Sequence, residues 1–383
     1  MVKMAIIHNI VTPYRLELFE RLSKHDFIDK LDVFYCLEGR TDRKWNLKHN
    51  ETYKYNILPG YTLVLPLMKI PCSINPSIFS EIRKDKYDVV IVFGFTDVTS
   101  QLAYIRCKIE NIPLIFFSEL TGNYLSKFSK LYPPLLSFFI KSSDAIIVPS
   151  TKSKDYHTRL SGFTDNIFIS PNTIDNTKYT NKSLKYREMS NLIKKDLSIT
   201  TKKNILFVGR FIKLKCIDNL IEAFIRLKAE NDTIGLILVG DGPEKSYLKD
   251  LCRNAGVKDV HFPGFISDED EKIKYYSISD LLVLPSLFEL HPLVLPEAMA
   301  CSLPIITTTA VGSASDIIIN GKNGYIINTE NVEQLYCAIK KILLKDNIES
   351  MGNCSLQILN EKCSLDIAVE GFVNASRFVE GRR

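Results

Sequence analysis

Residues 280–300 read DLLVLPSLFELHPLVLPEAMA, and the fold turns on how that stretch divides. Asp280–Ser286 is a continuous apolar run, the mark of a strand covered on both faces. Pro292 suits the first position of a helix, where its missing N–H removes no bond, so a helix is expected over 292–301. Glu289 then lies in the loop past the strand's carboxyl end, and Glu297 a turn or so into the helix. Strand, loop and helix make one βα unit of a parallel sheet. Two acids facing one cavity there would accept hydrogen bonds from the hydroxyls of a sugar or ribose. Taken alone, they read better as solvated or capping acids.

The same rhythm extends in both directions. KNILFVG, TIGLILVG, KDVHFPG, LPIITT and GYIIN are further strands, with helices expected near 218–230, 243–255, 268–279 and 331–344. Toward the N-terminus, KMAIIHN, LDVFYC, YDVVIVFG, IPLIFFSE, DAIIVPS and NIFISPN repeat the pattern. Thr12 and Pro13 supply the N-cap and first position of the first helix. Helices over 98–110 and 127–142 are expected as well. Residues 176–203 are polar, Lys-rich and weakly patterned, and read as a connection. The predicted architecture is α/β, with two doubly wound Rossmann-like domains facing a central cleft. Their limits are 1–175 and 204–364, and an amphipathic helix over 365–383 is free to pack back on the first. Ligands of such sheets bind beyond the carboxyl ends of the strands.

Composition narrows the function. The chain has 383 residues, 45% hydrophobic and 24% charged, with a net charge of +5 that is too small to argue for nucleic acid. No apolar run reaches the roughly 20 residues that a spanning helix needs. The opening MVKMAIIHNIV reads as a core strand and not as a signal peptide. Nine cysteines without a CxxC pair read as buried free thiols of a reducing cytosol. No strong metal-ligand cluster stands out, and the acidic run at 268–271 reads as a solvated helix start.

Two more stretches carry chemistry. In LFVGRFIKLKCIDNLIEAF a strand ends at Gly209, Arg210 follows, and Lys215 stands five positions on, ahead of a helix that Asp218 would cap. Two cations at a strand end beside a helix N-terminus suit a diphosphate, although loop cations are often merely solvated. In LVGDGPEKSYL, Gly240 and Gly242 permit close backbone approach, either to a ligand or within a tight turn. A dinucleotide fingerprint would need a third glycine.

Taken in order, these pieces resemble the retaining glycosyltransferases of family 4, which have the GT-B fold. The likeness covers about 204–328 and includes Gly209-Arg210 with Lys215, 240–244, VHFPGF, Pro285-Ser286 with Glu289 and Glu297, EAMACSLPIITT and NGKNGYII. It continues more loosely into DAIIVPSTKSKDYH and ISPNTID. The resemblance implies a nucleotide-diphosphate sugar donor. Arg210 and Lys215 would hold the diphosphate, Glu289 the hexose and Glu297 the ribose. Phe265 and Ile266 would receive the base, Leu293 and Val294 would offer amides to phosphate, and Gly209, Gly242 and His291 would complete the donor site. Neither metal nor other cofactor is implied. Four positions depart from the family pattern: Pro292, Cys216, Thr173 and Ser313 stand where glycine is common.

In the N-terminal domain, HNIVTPYRLELF replaces the usual glycine-rich loop and resembles members that build bacterial surface polysaccharides. The acceptor candidates there are Asn9, Arg15, Phe95, Asp97, Glu119 and Asn123, while His8 reads as a structural histidine. Residues 124–143 mix aromatics with Lys127, Lys130 and Lys141, a pattern suited to an anionic membrane surface or to an ordinary core-facing helix. The expectation is a cytoplasmic hexosyltransferase, peripheral at the inner membrane face, acting on a glycan or lipid-linked acceptor. The alternatives are a nucleotide-sugar epimerase or hydrolase on the same fold, and a catalytically silent partner subunit.

Overall fold

A computed structural model describes residues 1–38, 52–65, 70–122, 132–344 and 348–382. The chain forms two compact units, one from Met1–Asn172 with Leu365–Arg383 and one from Thr173–Ser364.

The strands of the first unit are β1 (Val2–Ile10), β2 (Ile28–Leu37), β3 (Lys54–Ile57), β4 (Tyr61–Leu65), β5 (Ile70–Ile74), β6 (Val89–Phe93), β7 (Leu114–Phe117), β8 (Ala145–Val148) and β9 (Ile167–Ile169). Among the described residues seven of them form one parallel sheet, ordered β3-β2-β1-β6-β7-β8-β9. The strand order reverses between β1 and β6. Alternate residues of β1 serve opposite faces, with Met4 and Ile6 in one core and Ala5 and Ile7 in the other. β4 and β5 pair antiparallel as a separate hairpin that sequence reading missed.

One face of this sheet is covered by the last helix, Leu365–Glu380, which buries Ala368, Phe372, Val373 and Val379. Phe372 lies 5.9 Å from Phe117 and 6.2 Å from Phe93, in stacked geometry. Burying one such ring contributes roughly 1.5–3 kcal/mol. Gly371 lets the helix approach β9, because a Cβ there would strike the Ile169 carbonyl. Ser170 Oγ donates to the Ala368 carbonyl at 2.8 Å.

The second unit contains β10 (Lys203–Val208), β11 (Ile234–Val239), β12 (Val260–Gly264), β13 (Leu281–Leu284), β14 (Ile305–Thr308) and β15 (Gly324–Ile327). All are parallel, in the order β12-β11-β10-β13-β14-β15, so the reversal falls between β10 and β13.

Residues 176–203 are not an unstructured connection. They fold as helices Asn176–Glu188 and Ser190–Asp196 within the second unit, then enter β10. Asp175 caps the first of these helices, accepting from Lys178 N at 3.0 Å. Its buried positions are Asn176, Tyr179 and Ser183, so no apolar stripe announces it. Lys178 and Lys182 form ion pairs with Glu269 and Asp270.

Candidate functional site

In an open parallel sheet, ligands gather where the strand order reverses, because loops there diverge and leave a crevice. In the second unit that point lies beyond β10 and β13. β10 ends at Val208; Gly209 and exposed Arg210 follow, then the turn Lys213–Lys215 and the helix Ile217–Glu230. Between turn and helix, Cys216 sits at φ +46°, the left-handed region, where the family's usual glycine carries no Cβ penalty.

The loop after β13 is sewn to this turn, Leu287 N donating to the Leu214 carbonyl at 2.8 Å. Gly312 N donates to the Glu289 carbonyl at 2.9 Å and fixes the other side. The Lys215 ammonium and the Glu289 carboxylate consequently form an ion pair, with side chains only 16% and 17% exposed. Burial pushes the Lys215 ammonium down to about 8. Two residues expected to hold different parts of one ligand therefore hold each other. Arg210 has no ion pair among the described residues.

Gly240 and Gly242 are explained by neighbouring backbone, not by a ligand. Their φ angles are +146° and +157°, and added Cβ atoms would collide with the carbonyl oxygens of Gly209 and Phe211. The two loops are also bonded, Phe211 N to the Asp241 carbonyl at 2.8 Å and Glu244 N to the Phe211 carbonyl at 3.1 Å. The Gly242 N–H, expected to face a donor, is occupied by Asp241 Oδ1 at 2.8 Å.

Glu297 differs from its expected placement. It is 5% exposed, and its carboxylate accepts from Lys272 Nζ at 2.6 Å, Tyr276 OH at 2.6 Å and Tyr179 OH at 3.4 Å. Burial, reinforced by that carboxylate, holds both phenols protonated far above their usual range. The two glutamates therefore do different work: Glu289 faces Lys215, while Glu297 ties together the helices Asn176–Glu188, Glu269–Ser277 and Val294–Ala300. Tyr179, Lys272 and Tyr276 carried no motif by which sequence could have found them.

The helix after β13 begins at Val294 with Leu293 at its N-cap. Pro292 lies two positions ahead of it, its carbonyl accepting from Leu295 N at 3.3 Å. Leu293 and Val294 pack on the core while partly open, and His291 is half-buried. Phe265 is 62% exposed and Ile266 half-buried, just past β12. Thr173, another departure from glycine, donates its hydroxyl to the Cys363 carbonyl.

In the first unit the structure separates the acceptor candidates. Phe95 belongs to the core, 4% exposed and stacked on Phe139 at 5.7 Å. Asp97 is also taken: its buried carboxylate accepts from Ser73 N at 2.8 Å and ties β5 to the helix Val98–Glu110. Asn9 is exposed on β1, and Asn123 lies outside the described residues. Arg15 and Glu119 come together. Arg15 Nη2 donates to Glu119 Oε1 at 3.1 Å and to Asn172 Oδ1 at 2.7 Å, and Asn172 Nδ2 donates to the same glutamate oxygen at 2.8 Å. Sequence reading missed Asn172. His8 is a structural residue, packed 4.5 Å from the Phe93 ring. Burial first, and Arg15 second, push its imidazole down to about 3.

The description "Glycosyl transferases group 1" matches residues 189–355, and "Glycosyltransferase Family 4" matches 40–178. The chain belongs to the family 4 glycosyltransferases of GT-B fold. This family membership reaches into the first domain, where the motifs were loosest. The family 4 chain is 36% identical over 141 residues to N-acetyl-alpha-D-glucosaminyl L-malate synthase of Bacillus anthracis, covering 37% of this chain and only 36% of that enzyme's length. It is 29% identical over 293 residues to alpha-monoglucosyldiacylglycerol synthase of Acholeplasma laidlawii, covering 72% and 71% of the two chains. Its fold matches that of Anabaena HepE in complex with UDP-glucose with a TM-score of 0.72 and 16% identity, over 98% of this chain and 100% of that one.

Proposed function

We propose that this chain is a retaining hexosyltransferase. It would move a hexose from a nucleotide-diphosphate sugar to a glycan or lipid-linked acceptor in cell-surface polysaccharide synthesis. The observation that carries the reading is the Lys215–Glu289 pair, with exposed Arg210 in the same loop after β10, at the strand reversal of the second unit.

In this reading Arg210 and Lys215 receive the diphosphate. Positive charge aimed at the departing phosphate lowers the barrier, because negative charge develops there as the anomeric C–O bond breaks. The acceptor oxygen bonds to the anomeric carbon on the face the nucleotide leaves, the bonding electrons depart with the diphosphate, and the acceptor hydroxyl's proton passes to the departing phosphate oxygen. Glu289 accepts hydrogen bonds from hexose hydroxyls and fixes the ring for that displacement. The exposed Phe265 and the backbone at Ile266 receive the base. Side chains supply the balancing charge, so the reading calls for no metal or other cofactor. The two relatives named for α-linked glycosyl products support retention. The A. laidlawii relative, named for a glycosylated diacylglycerol, supports a lipid acceptor.

A thermal-shift screen against UDP-, GDP-, ADP- and dTDP-sugars tests the proposal. A donor present at about 100 times its Kd stabilises the fold by about 2.7 kcal/mol through mass action. If no nucleotide-sugar or nucleoside diphosphate raises Tm, the reading fails.

A further inference from the structure

The rule that places Lys215 and Glu289 at the β10/β13 reversal points, in the first unit, to the reversal between β1 and β6. Arg15 stands in the first turn of the helix after β1, and Phe93 ends β6. Glu119 follows β7 and Asn172 follows β9, so distant segments of chain meet there. The three polar side chains close a triangle in which one oxygen of Glu119 takes a hydrogen bond from each of the other two.

Their exposures differ in a telling way. Arg15 is 1% exposed, its guanidinium 4.6 Å from the Phe117 ring centre and 5.1 Å from that of Phe93. Glu119 is 36% exposed. A ligand arriving from solvent meets the carboxylate and not the cation. Burying a guanidinium among aromatic rings is a poor way to stabilise a core, since apolar side chains of similar volume commonly serve as well. What it does provide is a carboxylate held in one orientation at a strand end. A fixed carboxylate accepts from hydroxyl or ammonium groups and repels other anions.

We propose that Glu119 binds the acceptor sugar through its hydroxyls, with Arg15 and Asn172 as positioning residues, and that the site takes a neutral or amino sugar and rejects an anionic one. This rests on the glycosyltransferase reading above.

The test is saturation-transfer NMR on the full chain with methyl α-glucoside, glucosamine and glucuronate. Wild type should bind the first two and hold glucuronate about tenfold more weakly, the size of one charge-assisted hydrogen bond. Glu119→Gln should erase that ranking. Asn172→Ala keeps the ion pair and should weaken binding of the glucoside and of glucosamine. A purely structural carboxylate would lower Tm without altering the charge ranking. The proposal is overturned if none of the three sugars binds, or if a folded Glu119→Gln keeps the wild-type ranking. Calorimetry with UDP, GDP, ADP and dTDP on the same proteins separates the two readings. Nucleotide binding with an unchanged sugar ranking rejects only the Glu119 assignment; absence of nucleotide binding rejects the enzyme reading.

Discussion

Consider Glu289→Gln, a change that keeps the side chain's shape and removes its charge. Lys215 is ion-paired with Glu289, so a diphosphate must compete for the ammonium and approach a carboxylate at the same time. Two unit charges about 6 Å apart in surroundings of effective dielectric 20 interact by roughly 3 kcal/mol. Both side chains keep some exposure, and salt reaches them, which reduces the expected gain to about 1 kcal/mol, or roughly fivefold in Kd. Calorimetry with the nucleoside diphosphate that binds wild type among UDP, GDP and ADP should therefore show tighter binding by Glu289→Gln. Turnover with the intact nucleotide-sugar should fall, because the hexose loses its acceptor. Lys215→Ala should weaken the same nucleotide by about 1.5–3 kcal/mol. The pH dependence follows from the same pair. Burial holds Lys215 at about 8, so nucleotide affinity is full below that pH and falls as the ammonium loses its proton above it. A Glu289→Gln variant that binds nucleoside diphosphate more weakly than wild type would refute the competition between the two partners.

Three further outcomes are expected. Glu297→Ala leaves Lys272 and two buried phenols without their shared acceptor, so denaturant unfolding should show a loss of about 3 kcal/mol; an unchanged midpoint would return Glu297 to the nucleotide site. Phe372→Ala opens a cavity under the sheet of the first unit and should cost about 3–5 kcal/mol, read from the transition of that unit. The helix Tyr132–Ser142 shows Phe138 58% exposed and Lys141 at the surface, so the protein should co-sediment with anionic liposomes at low salt and be released at high salt; no sedimentation at low salt would favour an acceptor free in solution.

The strands were readable because parallel sheets buried on both faces need unbroken apolar runs, as in Leu281–Leu284 and Ile205–Val208. Lys215 and Glu289 were readable as single positions, but their pairing depends on two neighbouring strands, which sequence order does not reveal. The helices over 176–196 escaped notice because Tyr179 and Ser183 do the work of an apolar stripe. Pro292 misled by two residues: it is compatible with a first helical position, yet the chain uses it as the turn before one. Phe95 and Asp97 lie near the end of β6, as expected, but position along a strand does not say whether a side chain turns into the core. Asn172 could have been suspected only by knowing that β9 ends near β7.

The helix Leu365–Glu380 carries a consequence for how the protein is made. The second unit is one continuous stretch, Thr173–Ser364, while the first is interrupted by it and completed from the other side. A ribosome delivers Phe372 only after every residue of the second unit has emerged. The first sheet is thus synthesised early with one face only partly covered, by Leu18, Phe19 and Leu22, and with Phe93 and Phe117 waiting for the ring that stacks on them. Joining the ends of an already folded insert adds little chain entropy, because closure grows only with the logarithm of loop length. The order of completion is therefore the reverse of the order of synthesis: the later-made unit can finish first, and the earlier one needs that interval without aggregating.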